Sequence, residues 1–212
     1  MSKKHPKCKD HILLNWEKEK LLNACKTNLE KFTFKIHFYT SMRVNEICHL
    51  QRSWISKDFE TLTIPERMRC DCQACKKIRH KTKRDKETKQ IISRKIIKTA
   101  GWFMPKTGAG GRCIPIVPEL QPIMKAFFKN HNSTKEIFKN RTHVWRILQR
   151  VASRCHLEHK VFSHAQRAGF ACELSARGYS LPDVMSILGW QNPKILPDYI
   201  KLNQDHVKKL TQ

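Results

Sequence analysis

Ser163-His164-Ala165-Gln166-Arg167, followed by Leu188-Gly189-Trp190 and then by Asp198-Tyr199, is the stretch on which the reading of this chain turns. His164 and Arg167 stand three apart at the start of a helical pattern, so both project from one face. A glycine and a tryptophan close the next helix. Trp190 follows Arg167 by 23 positions, and Tyr199 follows Trp190 by nine. Upstream, Tyr39-Thr40-Ser41-Met42-Arg43-Val44-Asn45-Glu46 supplies another arginine, and Pro105-Lys106-Thr107-Gly108 supplies a lysine. Each residue alone reads as ordinary: a solvated cation, a packing tyrosine, a core tryptophan. Their joint order carries the chemical meaning.

The bulk properties agree with a polyanionic partner. The 212 residues hold 42 Lys and Arg against 18 Asp and Glu, for a net charge of +24 and a pI near 10.0. Such a balance points to nucleic acid. Charge alone leaves a basic RNA-binding protein as open as a DNA enzyme. No stretch approaches the ~20 apolar residues of a membrane span. The basic start lacks the apolar core of a signal peptide, so the expected place is intracellular, cytoplasmic and DNA-associated. Nine cysteines, six of them scattered singly, argue against a disulfide framework.

Transesterification of a DNA phosphodiester needs a nucleophile, charge stabilisation on the transition state and a proton donor for the leaving 5′ oxygen. Tyr199 is the candidate nucleophile. A phenol titrates near ~10, so it needs nearby cations to attack at neutral pH. Arg43 and Arg167 would supply them and hold the phosphate in fork geometry. His164 would take or give the tyrosine proton. Lys106, beside a glycine turn, would protonate the 5′ oxygen. Trp190 offers an indole donor and an apolar wall.

Periodicity predicts a mostly helical α+β domain. Residues 15–28 read helical, with Asn15 as a cap and Trp16, Leu21, Leu22 and Cys25 at helical spacing. Apolar segments follow at 32–42 and 45–50. Residues 59–64 alternate as a strand. Residues 102–104 and 113–117 read as two strands joined by a glycine-rich hairpin turn. Helices are expected from Pro118 to about Asn130, over 142–155 with a stripe of Val144, Ile147, Leu148, Val151 and Ala152, and over 164–177 and 181–188. Tyr199 lies on a last segment, 196–202.

Residues 67–98 differ from the rest. They are dense in charge and poor in large apolar side chains until Ile91, as in an insertion or mobile excursion that buries little core. Within them Cys70-x-Cys72-x-x-Cys75, with His80 five further on, has the ligand types of a structural zinc site. The alternative is three free thiols in a mobile loop. The lysines from 76 to 98 are candidate phosphate contacts, or simply a solvated face.

In the order Arg43, Lys106, His164-x-x-Arg167, Gly189-Trp190, Tyr199, the chain resembles the catalytic domain of the tyrosine recombinase (phage integrase) family. Its segments 105–116 and 188–190 are most similar to integrases of archaea and their viruses and plasmids. The resemblance implies a recombinase catalytic fold with a small antiparallel sheet. It also implies a 3′-phosphotyrosyl intermediate at Tyr199, strand exchange, and no cofactor for catalysis. Double-stranded DNA would be the partner, bound by a dimer to tetramer of the chain, and Glu46 would buttress Arg43. The implied organisation is a basic leader (1–11), a catalytic domain (12–205) carrying the insertion (67–98), and a tail (206–212). Two rivals stand beside it: an inactive DNA-binding remnant, and a zinc-stabilised RNA-binding protein. A type IB topoisomerase would share the chemistry.

Overall fold

A computed structural model of the chain describes residues 12–106, 111–131 and 137–192. The leader, the glycine turn at 107–110, residues 193–205 with Tyr199, and the tail lie outside the described residues. No helix among the described residues is long and apolar enough to cross a membrane.

The central element is α2 (Asn28–Thr40). Phe32, Phe34, Ile36 and Phe38 are buried, and so are Thr33, His37 and Thr40. A helix buried on nearly every side belongs in the middle of a helical domain. It packs against α5 (Gln121–Asn130), α6 (Arg141–Ser153) and α7 (Ser163–Ala176). Phe32 stacks on Phe127 with ring centres 4.0 Å apart, and Phe128 meets it edge-on. The expected stripe of α6 faces this core without exception.

The single helix expected over 15–28 is instead α1 (Asn15–Asn23), followed by a break. Thr27 is the reason. Its hydroxyl accepts the Glu30 N–H at 3.1 Å, and the Glu30 carboxylate accepts the Lys26 N–H at 2.7 Å. A cap of this kind starts a new helix. Trp16, read as part of the buried stripe of α1, is 57% exposed. Asn15 is the first helical residue and not the cap.

The antiparallel strands form three separate pairs. β1 (Thr61–Ile64) pairs with β6 (Arg112–Pro115), Leu62 opposite Ile114. β2 (Met68–Arg69) pairs with β5 (Trp102–Phe103). β3 (Arg79–Arg84) pairs with β4 (Ile91–Lys98). The expected hairpin between 102–104 and 113–117 is therefore not made: each strand finds its partner on the far side of the insertion. The alternation of β6 explains the choice. Arg112 and Ile114 point inward, and β1, with Leu62 and Ile64 buried opposite them, offers a matching face.

The insertion is also more ordered than its composition suggests. Its outer part is the β3–β4 ribbon, every β3 side chain of which is exposed. Its base carries α4 (Gln73–Lys76), where Cys75 is fully buried.

Two further helices set up the site. α3 (Val44–Ile47) follows α2 after Ser41, a left-handed residue at φ 52°. α8 (Leu181–Leu188) starts at Ser180, whose hydroxyl accepts the Asp183 N–H, and stops at Gly189 with φ 62°. Glycine holds that left-handed stop without the Cβ penalty.

Candidate active site and a cysteine–histidine cluster

The last carbonyls of a helix have no partner inside it, and they carry the negative end of its dipole. At the end of α8, three arginines take three successive carbonyls. Arg112 Nε donates to Ile187 O at 2.8 Å. Arg167 Nη2 donates to Leu188 O. Arg43 Nη2 donates to Gly189 O at 3.0 Å. Arg167 is fixed a second time, through Nη1, to the carbonyl of Ser41 at the end of α2. Two helix ends thus converge on one guanidinium.

Glu46 ties the group together. Its carboxylate accepts the Arg43 N–H at 2.8 Å and Arg43 Nη1 at 3.0 Å. The same carboxylate takes Arg112 in a fork, at 3.2 and 3.0 Å. The side chains of Glu46 and Arg112 are 1% and 5% exposed, against 19% for Arg43. Burial would push the Glu46 carboxyl up, but the hydrogen bonds and charges of Arg112 and Arg43 outweigh it and hold it below the ordinary range. Arg43 is the member of the group that reaches the surface. Two of its five N–H donors are committed, to Glu46 and to Gly189 O.

Trp190 is half-buried next to this group. Its backbone N–H donates to Met185 O at 2.9 Å, and its ring centre lies 5.7 Å from the Arg167 guanidinium. His164 is exposed on the first turn of α7, one turn before the buried Arg167. Beside it, Ser163 Oγ meets His37 Nε2 at 3.2 Å, and His37 Nδ1 donates to Thr33 O at 2.7 Å. Burial drives the His37 imidazole down to about 4, against the bond to Thr33. Lys106 is exposed beyond β5, next to the undescribed turn.

The structure thus brings Arg43, Arg167 and Trp190 together, and leaves His164 exposed one turn before Arg167 on α7. Sequence reasoning missed Arg112, which holds Glu46 in place. The available signal was its alternation with Ile114, which puts a cation on the inward face of a strand.

A second group of reactive side chains lies at the base of the insertion. His49, Cys70, Cys72 and Cys75 bring their ligand atoms within 4.8 Å of one another. His49 Nε2 stands 3.3 Å from Cys72 Sγ and 3.2 Å from Cys75 Sγ. Burial pushes the Cys70 thiol up to about 12. The three cysteines gather as their spacing suggested, but the histidine among them is His49. His80 lies exposed on β3, paired with Ile96, and is not part of the group. No disulfide involves the eight cysteines of the described residues.

Solved structures share this fold. XerA recombinase superposes with a TM-score of 0.65 at 14% identity, over 99% of this chain and 64% of that one. The Tn1549 transposon integrase, in complex with transposon right end DNA, gives 0.62 at 14% identity, over 100% and 69%. XerH site-specific recombinase, in a post-cleavage complex with a palindromic difH substrate, gives 0.57 at 16%, over 94% and 52%. The chain therefore spans about half to two thirds of the length of these proteins. No curated protein sequence matches it significantly. The model of the phage integrase family matches residues 12–206, from before α1 to beyond Tyr199. That span takes in every element described above, and the chain belongs to the phage integrase family.

Proposed function

We propose that this chain is a site-specific DNA recombinase that breaks and rejoins double-stranded DNA through Tyr199. The observation that carries the reading is the convergence of Arg43 and Arg167 at the end of α8, beside Trp190 and backed by Glu46. Two guanidiniums whose bonds to carbonyls fix their planes are pre-set to receive a phosphate. No reorganisation is then needed when negative charge grows on its oxygens.

The chemistry divides among the residues as follows. The Tyr199 oxygen attacks the scissile phosphorus and loses its proton to His164. The bond from phosphorus to the 5′ oxygen breaks, and Lys106 gives that oxygen a proton. The product is a 3′-phosphotyrosyl link and a free 5′ hydroxyl. Attack by the 5′ hydroxyl of a partner strand reverses these steps and completes the exchange. Arg43, Arg167 and the Trp190 indole hold the phosphate oxygens. No step needs a metal or a high-energy cofactor, because the bond energy is kept in the phosphotyrosine. Two to four copies on DNA would bring the exchanging strands together. The excess of basic charge supplies phosphate contacts, so affinity should fall steeply with salt.

The test is covalent trapping on a nicked suicide duplex, resolved on a denaturing gel, with Tyr199→Phe alongside. A DNA-linked band present in the wild type and absent from the Phe variant is expected. Salt-sensitive binding with no band on any attachment site would instead identify a DNA-binding relative without activity.

A further inference from the structure

We propose that His49, Cys70, Cys72 and Cys75 form a structural Cys₃His zinc site that fastens the β3–β4 ribbon to the helix carrying Arg43 and Glu46. The inference does not depend on the recombinase reading, because it concerns metal and fold alone.

The geometry supports it in three ways. First, the ligand atoms are already gathered within 4.8 Å of one another. A tetrahedral zinc with Zn–S near ~2.3 Å and Zn–N near ~2.0 Å places S and N about 3.5 Å apart. His49 Nε2 needs only a few tenths of an ångström of opening from its 3.2 and 3.3 Å to the sulfurs. Secondly, the His49 ring is oriented as a ligand. Its Nδ1 lies 2.6 Å from the Asn45 carbonyl. A carbonyl only accepts, so Nδ1 carries the hydrogen and Nε2 presents its lone pair to the sulfurs. A second partner of this kind fixes the tautomer of metal-bound histidines. Thirdly, the donors are buried or half-buried, and all four come from protein, as in a closed structural site.

The place in the fold explains what the metal would do. An isolated two-stranded ribbon is marginally stable in water. The β3–β4 ribbon is exposed, with Ile91, Ile92 and Ile96 each more than two-fifths exposed. Its base meets the domain at the edge of the core, where Cys75 and Phe103 are buried, and β2 and β5 pair over only two residues each. Backbone bonds join it as well, Gly101 N–H to Cys75 O at 2.8 Å and Cys70 N–H to Gly101 O at 3.0 Å. His49 belongs to the other side. Its N–H donates to Glu46 O at 3.0 Å, one helical turn on from the carboxylate that holds Arg43. A metal bridging His49 to the cysteines would lock the insertion to the turn that supports the arginines. Its free energy of binding would add to the apolar contacts of Cys75 and Phe103 there.

The test uses the full chain, loaded with zinc or cobalt. The wild type should hold one zinc per chain by elemental analysis. Cobalt should give the strong d–d absorption of a tetrahedral thiolate site. His80→Ala should leave both unchanged. His49→Ala should weaken metal binding at least tenfold, and His49→Cys should restore a tetrahedral spectrum with an added thiolate transition. The Cys variant keeps the proposal testable where the Ala variant fails to fold. Chelation should speed tryptic cutting after Arg69, Lys76 and Lys77 at least tenfold. Three results overturn the proposal: a wild type that takes up no stoichiometric metal, a cobalt spectrum lost in His80→Ala and kept in His49→Ala, or tryptic rates indifferent to chelation.

Discussion

The end of α8 and the base of the ribbon solve the same problem with different materials. Each must hold polar, reactive side chains still. At α8 the surrounding helices supply a deep apolar frame, and buried charge is satisfied by carbonyls at two helix ends and by one carboxylate, Glu46. At the base of the ribbon that frame ends: Phe103, Trp54 and Cys75 are buried, and the β3 strand beyond them is wholly exposed. The neighbours are Phe103, with its ring 4.5 Å from His49, Trp54, whose indole N–H meets Met68 Sδ at 3.3 Å, and a stack of Arg67 and Arg69 over Trp102. What gathers at its centre is three sulfurs and an imidazole. The lesson is that a charged network can be held by backbone dipoles where a core encloses it. Where the core gives way to an exposed ribbon, soft ligands gather at its edge.

The comparison breaks or sharpens under substitution. The largest effect is expected at Glu46. Replacing it with alanine leaves the Arg112 guanidinium buried without its counter-charge, and losing one partner of a buried pair costs about 3–5 kcal/mol. Urea unfolding should show that loss. A change below about 1 kcal/mol would mean that the α8 carbonyls alone hold the arginines. The converse substitution, Arg43→Ala, should cost far less stability, because Arg43 is the more exposed partner.

The next effect in size is a pH dependence centred on His37. His37 is buried neutral and titrates near 4 in the fold, below its ordinary value. The unfolded chain therefore takes up a proton that the folded chain refuses. Stability is complete above about pH 6.5 and falls as pH drops through the window down to 4, by up to about 3 kcal/mol. Glu46, held below the ordinary carboxylate range, adds a loss at still lower pH as it is protonated. Thermal unfolding of metal-free protein at a series of pH values measures this. His37→Gln should flatten the upper part of the curve. A wild-type profile that stays flat from pH 7 to 4 would show that burial does not hold the His37 imidazole below its ordinary value.

The smallest effect belongs to the ribbon surface. Ile96 is 55% exposed, so Ile96→Thr should change unfolding free energy by less than about 0.5 kcal/mol. A loss several times larger would show that the ribbon lies against something on the molecule itself.

How far the sequence disclosed all this depends on the range of the interactions. The α6 stripe, the glycine stop of α8, and the placing of His164 and Arg167 on α7 are local patterns, legible from spacing. The partner of β6 was not legible. Strand choice depends on which face is free after the whole insertion has folded, and the tempting nearby glycine turn pointed to the wrong neighbour. Arg112 escaped because its carboxylate lies 66 residues upstream. His49 escaped for a related reason: a histidine five residues past the last cysteine looked like the natural fourth ligand. The chain reversal that brings α3 to the cysteines leaves no trace in spacing.

The pairing of Arg69 with Trp102 has one more consequence. The strand that leads out of the domain lies directly against the strand that leads back. Everything from Cys70 to Gly101 is a detour whose ends nearly touch. The entropy of closing such a detour grows only slowly with its length, by roughly 0.6 kcal/mol per doubling. The exposed outer part, the β3–β4 ribbon, can therefore be lengthened, shortened or exchanged while the helices keep their arrangement. An engineer could likewise open the chain at the Asp85–Gln90 turn, where Asp85 N–H meets Gln90 O at 2.8 Å, or insert a further segment there.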